Sequence, residues 1–105
     1  MKRLEVRFLA TAAADLDELF CHVAKESSLE TADRYLTRLE RFCLSLSTLP
    51  ARGTTIHGRV PGLRRIGFER RATILFRIGE DKVEILRILY GGRDLTPVLE
   101  EILTK

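Results

Sequence analysis

Apolar residues alternate at strand period through most of the stretch Val60 to Asp94, broken by two polar turns. The spacing predicts three strands, Leu63 to Glu69, Ala72 to Ile78 and Lys82 to Tyr90. The breaks at Glu69-Arg70-Arg71 and Gly79-Glu80-Asp81-Lys82 suit hairpin turns. In the second strand Ile74, Phe76 and Ile78 alternate with Thr73, Leu75 and Arg77. In the third, Val83, Ile85 and Leu89 are expected on one face, with Leu86, Ile88 and Tyr90 on the other. Both faces of this meander therefore need cover, at least near its middle.

The first half of the chain changes period. Leu4, Val6 and Phe8 alternate with Arg3, Glu5 and Arg7 as in a half-buried strand. From Thr11, read as an N-cap, Leu16, Leu19, Phe20 and Val23 form a helical stripe ending near Lys25, with Asp15 close to the positive helix end. Ser27 and Glu30 fit a capping box for a second helix. Its seam runs Ala32, Tyr35, Leu36, Leu39, Phe42, Cys43 and Leu46, with Arg34, Arg38 and Arg41 on its other sides, until Pro50 and Gly53 end it. Arg52 to Arg59 is a polar connector. After Gly91-Gly92, Leu95 to Leu103 makes a short helix with Leu95, Val98, Leu99 and Ile102 inward and Pro97 in its first turn. The expected architecture is α+β in one domain, residues 1–105: N-terminal strand, αα-hairpin, three-stranded antiparallel meander and short C-terminal helix.

Composition sharpens this only in places. With 105 residues, 45% of them hydrophobic, the chain can bury a core without metals or disulfides. No apolar run approaches the ~20 residues that span a bilayer, and Glu5 and Arg7 interrupt any signal-like core. Cys21 and Cys43 have no ligand cluster nearby, so they are expected as buried free thiols in a reducing cytoplasm, with no zinc and no cofactor implied. Charge is distributed unevenly. Residues 1–51 hold seven basic and eight acidic side chains, whereas residues 52–93 hold ten basic, nine of them Arg, and four acidic. Such an arginine-rich half can meet nucleic acid or an acidic protein surface.

Candidate chemistry is sparse. His22 and His57 have no Ser, Cys or Asp at a spacing that makes a triad or dyad, and are expected as solvated or structural residues. Asp15, Asp17 and Glu18 suit a helix start better than a metal site. Arg87, flanked by apolar neighbours, is expected either to pair with an acid or to face a partner. Arg64 and Arg65 point to opposite faces, and Arg70 and Arg71 occupy an exposed turn. No phosphate loop, base-stacking set or helix-turn-helix accompanies these arginines.

Four segments together carry a family resemblance: Ala14-Asp15-Leu16-Asp17-Glu18-Leu19, Leu49-Pro50-Ala51-Arg52-Gly53, Pro61-Gly62-Leu63-Arg64-Arg65, and the run Val83 to Asp94. In this order and spacing the whole chain resembles the RelE/ParE superfamily of toxins from bacterial toxin–antitoxin pairs. The resemblance implies one of two activities. RelE-like members are ribosome-dependent ribonucleases with basic and acid–base side chains on one face, and ParE-like members poison DNA gyrase. Where the RelE pattern has an arginine in the second meander strand this chain has Thr73, and where it has a C-terminal tyrosine this chain has Leu99. Arg93 matches a basic position. The chain is thus similar to ParE.

That likeness implies a non-enzymatic toxin that traps the cleaved-DNA state of gyrase and is neutralised by a cognate, ParD-like antitoxin in a cytoplasmic hetero-oligomer. Target contacts are expected from Arg64, Arg65, Arg70, Arg71, Tyr90 and Arg93. An apolar sheet face left uncovered by the two helices, carrying Leu75, Leu86, Ile88 and Tyr90, is expected to receive the antitoxin, with Arg87 as a further candidate contact. A RelE-like mRNA endoribonuclease, with Tyr90 as general base, is the second expectation, and a basic nucleic-acid-binding module the third.

Overall fold

The computed structural model describes residues 3–91 and 95–103. The chain runs through strand β1 (Glu5–Phe8), helices α1 (Ala10–Glu26) and α2 (Leu29–Leu44) and a 3-10 turn (Ser45–Ser47). Strands β2 (Thr54–Thr55), β3 (Leu63–Phe68), β4 (Ala72–Ile78) and β5 (Lys82–Tyr90) follow, then helix α3 (Thr96–Leu103). The strands form a five-stranded sheet in the order β1-β5-β4-β3-β2. All neighbours are antiparallel except β1 and β5: the αα-hairpin carries the chain from β1 to β2 at the far edge, and the following strands return it so that β5 lies parallel to β1. The α+β class and its order of elements are those expected. The addition is β2, in the connector that showed no pattern, where Thr54 and Thr55 pair with Arg65 and Arg64. Gly53 enters it at φ +75, where a Cβ would stand 2.1 Å from the Arg65 carbonyl oxygen.

The helix caps differ from expectation by small local choices. Helix α1 begins at Ala10 with Leu9 as an N-cap that makes no side-chain bond. Thr11 instead donates its hydroxyl to the Leu86 carbonyl at 2.7 Å. Helix α2 is capped by Ser28 rather than Ser27, its Oγ accepting from the Thr31 amide at 3.0 Å. It ends at Leu44, and the chain tightens into the 3-10 turn before reaching Pro50.

The α2 seam emerges as read. Ala32, Tyr35, Leu36, Leu39, Cys43 and Leu46 are buried in one core with Ile74, Phe76, Val83, Ile85 and Ile88. Burial pushes the Cys43 thiol up to about 12. Cys21, expected to be buried too, is exposed.

The faces of β5 require a correction. Phe76 pairs with Ile85 and Leu75 with Arg87, so Leu86 is an extra residue, a bulge that reverses the alternation. Val83 and Ile85 before the bulge, and Ile88 and Tyr90 after it, therefore all belong to the helix side. Leu63, Leu75 and Leu89 are buried outside that core, on the opposite face. Helix α3 serves this side. Val98 and Ile102 line a cavity of about 150 Å³ with Leu9, Leu86 and Arg87, and a Cβ on Gly58 would stand 3.0 Å from Leu103 Cδ2. The uncovered apolar sheet face expected from the sequence is thus absent among the described residues. No described helix is long and apolar enough to cross a membrane.

Candidate interaction site at the β3–β4 turn

Strands β3 and β4 pair as far as Phe68 and Ala72. Glu69, Arg70 and Arg71 are left to reverse the chain, and the Arg71 amide donates to the Phe68 carbonyl at 3.0 Å. Glu69 and Arg70 both take left-handed backbone, φ 49° and 59°, as a type I′ turn requires. That turn follows the twist of the strands, but it suits Asn-Gly, and each side chain with a Cβ costs about 1 kcal/mol there. Two contacts hold it. Glu69 accepts hydrogen bonds from Arg38 Nε at 2.8 Å and Nη2 at 3.0 Å, which hold its carboxyl below the usual carboxylate range. The Gly91 amide donates to the Arg71 carbonyl at 2.7 Å, tying the end of β5 to the turn.

Behind the turn lies an aromatic group. The Tyr90 ring stands edge-on to His22 at 5.3 Å and to Tyr35 at 6.0 Å, and Tyr35 and Phe42 each meet Phe68. Tyr35 is only 4% exposed, and its hydroxyl has no hydrogen-bond partner. Burial, helped by the neighbouring Tyr90 phenol, pushes its pKa up to about 12. Tyr90 is half-buried and lines a cavity of about 420 Å³ with Asp15, Glu18, Leu19, His22, Ile88 and Gly91.

The expected target residues are thus partly gathered. Arg70, Arg71 and Tyr90 share this end of the sheet. Arg64 does not join them: it donates to the Arg52 and Gly53 carbonyls and to Thr55 Oγ1, at 2.9, 3.3 and 2.8 Å, fastening the connector to β3. Arg65 faces the other side, beside Thr54, Gly67 and Thr73, roughly 10 Å along the strand from Phe68 at ~3.3 Å per residue. Arg93 lies outside the described residues.

The expected antitoxin set is divided as well. Leu75 and Ile88 are buried on opposite faces, Tyr90 keeps company with Ile88, and only Leu86 and Arg87 sit half-buried at the bulge beside α3. Arg87 donates to Asp15 through Nε at 2.8 Å and Nη2 at 3.1 Å, and Asp15 Oδ2 also accepts the Ile88 amide at 2.8 Å. Asp15 is therefore no mere complement to a helix dipole. Pairing of β1 with β5 stops at Ile85, and Leu9, Thr11 and Asp15 of the helix start bond the strand edge beyond it.

His22, Tyr35, Arg38 and Glu69 belong to the turn region; the sequence placed them as a solvated or structural histidine, a seam residue, a helix-surface arginine and a turn residue, and not as members of one site. The spacing of Tyr35 and Arg38, three apart on α2, was the available signal. Among the described residues no group of His, Cys, Asp or Glu could hold a metal ion.

Exposed guanidinium groups such as those of Arg70 and Arg71, at the same end of the sheet as an aromatic cluster, can hold a carboxylate or phosphate by charge-assisted hydrogen bonds. The class defined by this fold and site is a small α+β protein that presents an arginine-bearing turn. The family model for the ParE toxin of type II toxin-antitoxin system, parDE, matches residues 6–95, and the chain belongs to this family of toxins.

Two solved structures are similar to it. One, of the chromosomal ParDE TA system from P. aeruginosa, is 26% identical with a TM-score of 0.72, covering 85% of this chain and 97% of that one. The other, of the toxin-antitoxin complex RelBE2 from Mycobacterium tuberculosis, is also 26% identical, with a TM-score of 0.67 and coverage of 89% and 97%. No sequence match to a curated protein is found.

Proposed function

We propose that this toxin acts on DNA gyrase by binding, trapping the cleaved-DNA state, and that a cognate antitoxin neutralises it. The observation that carries this reading is the absence of the RelE pattern's partners around Tyr90. Thr73, where that pattern has an arginine, lies on the opposite sheet face from Tyr90, and Leu99 stands where it has a C-terminal tyrosine, so Tyr90 keeps only the turn arginines Arg70 and Arg71 at its end of the sheet. Cleavage of RNA through its 2′-hydroxyl needs a base and a charge-stabilising group on the same phosphate. Trapping needs only tighter binding to one enzyme state than to others. Arg65, Arg70, Arg71 and Tyr90 are the reachable target contacts. Both similar structures are of toxin–antitoxin systems, which supports an antitoxin partner, and Leu86 and Arg87 beside α3 are its reachable contacts.

The test is purified toxin added to gyrase with relaxed plasmid and ATP. Inhibited supercoiling and linear DNA released by detergent are expected. Undiminished supercoiling with no linear DNA, at toxin well above enzyme, would defeat the gyrase reading while leaving the antitoxin reading intact. The likeness to RelBE2 favours a second reading, a ribosome-dependent ribonuclease. Primer extension on translated messages decides between them: discrete cuts abolished by Tyr90→Phe or Arg93→Ala would put the ribonuclease first.

A further inference from the structure

Two features at the β3–β4 turn lower the stability of the fold, and they sit on neighbouring elements. Glu69 and Arg70 hold left-handed backbone that Asn-Gly would take without strain. Tyr35 buries a hydroxyl with no partner, where a phenylalanine would fill the same space. Elsewhere the described residues keep these rules: Gly53, Gly62 and Gly91 hold the other left-handed positions, and buried Asp15 is bonded at both oxygens. Breaking two rules in one place, on a fold that otherwise obeys them, is the mark of a surface held for binding.

We infer that this turn, with Tyr90 and Tyr35 behind it, is a docking surface for an acidic segment of a protein partner. Arg70 and Arg71 take its carboxylates, and the Tyr35 hydroxyl takes a further acceptor once the Tyr90 ring moves aside. The inference does not depend on gyrase being the target.

The fold itself displays the recognition chemistry, since Arg38 already seats the Glu69 carboxylate with both oxygens engaged. A polypeptide fits better than a nucleic acid. The carboxylates of Glu69 and Glu18 border the surface, so a continuous phosphate backbone meets repulsion, whereas a polypeptide places its charges singly. The Tyr35 hydroxyl is already out of water, so a hydrogen bond formed there gives up little hydration. Arg70, exposed at a left-handed position of the turn, supplies a cation there that a glycine would lack.

The experiment uses the full chain and two labelled probes, a short Glu/Leu peptide and a single-stranded oligonucleotide of equal charge, read by fluorescence anisotropy. Thermal unfolding is followed alongside. Arg70→Gly should raise the unfolding midpoint yet weaken peptide binding about tenfold. Arg71→Ala should weaken binding by a similar factor with little change in midpoint, and Tyr35→Phe should raise the midpoint and weaken binding about fivefold.

Equal peptide binding in wild type, Arg70→Gly and Arg71→Ala overturns the inference. So does a lower midpoint in Arg70→Gly, which would remove the strain argument. An oligonucleotide bound more tightly than the peptide, and losing affinity in the same variants, replaces the protein partner with a nucleic acid. Peptide binding that survives a negative gyrase assay separates this surface from the gyrase reading.

Discussion

Two arginine–carboxylate pairs tie a helix to the sheet with nearly the same geometry and in opposite surroundings. Arg87 grips Asp15 at 2.8 and 3.1 Å, and Arg38 grips Glu69 at 2.8 and 3.0 Å. The first pair is 23% and 8% exposed, the second 51% and 38%. Asp15 also accepts the Ile88 amide, so its loss would strand a half-buried guanidinium and a strand-edge N–H together. Loss of Glu69 would return Arg38 to water. Identical bonds therefore do different work: the inner pair fixes where α1 meets β5, and the outer one steadies a strained turn that faces solvent.

The largest expected effect follows from the inner pair. Asp15→Ala should cost about 3–5 kcal/mol of unfolding free energy, the range for breaking a buried pair from one side. In urea titrations the midpoint should fall with an unchanged slope. A double-mutant cycle with Arg87 should return a coupling well above that of the exposed Arg38–Glu69 pair. Equal couplings would erase the distinction between the two regions.

The inner pair also shows where sequence reading stops. The meander and the α2 seam were legible because period and turn residues are local properties. Asp15 and Arg87 are 72 positions apart, so nothing local joins them, and an acid near a helix start already had an adequate local explanation. The bulge at Leu86 was equally hidden, since one extra residue inverts every face after it while leaving the apolar run intact. That inversion moved Ile88 and Tyr90 to the helix side and dissolved the expected antitoxin face. At the turn, Arg70 and Arg71 were readable as exposed cations. Tyr35 looked like one more seam residue, because a hydroxyl without a partner is a property of packing and not of spacing.

A middle-sized effect sharpens the outer region. Tyr35→Phe should stabilise the fold by about 1–2 kcal/mol at neutral pH by removing the unpartnered hydroxyl. It should also change the alkaline limb. In the folded protein Tyr35 ionises at about 12 instead of its ordinary 10.0. A raised value binds the proton more tightly in the folded state, so its contribution is present below pH ~10 and is lost as pH rises toward ~12. Cys43, raised from 9.0 to about 12, gives the same sign beginning one unit lower. The comparison is therefore best made in a Cys43→Ala background, with unfolding midpoints at pH 9 and 11.5. The Tyr35→Phe variant should lose less stability over that interval than its parent.

The smallest expected effect tests the outer pair directly. Glu69 keeps its left-handed backbone in Glu69→Gln, so turn strain is unchanged and only the charge on Arg38's partner is removed. Because both groups are solvent-exposed, the loss should be small and shrink further in 1 M salt. The pH dependence has a definite sign. Arg38 lowers the Glu69 carboxyl below its ordinary 4.5, so the pair's contribution is present above that value and fades as pH falls beneath it. Unfolding midpoints of wild type and Glu69→Gln should differ at pH 7 and converge as pH drops below about 4. A difference that persisted unchanged at low pH would mean that the Glu69 side chain holds the turn by packing rather than by charge. The two arginine pairs would then differ in kind and not only in exposure.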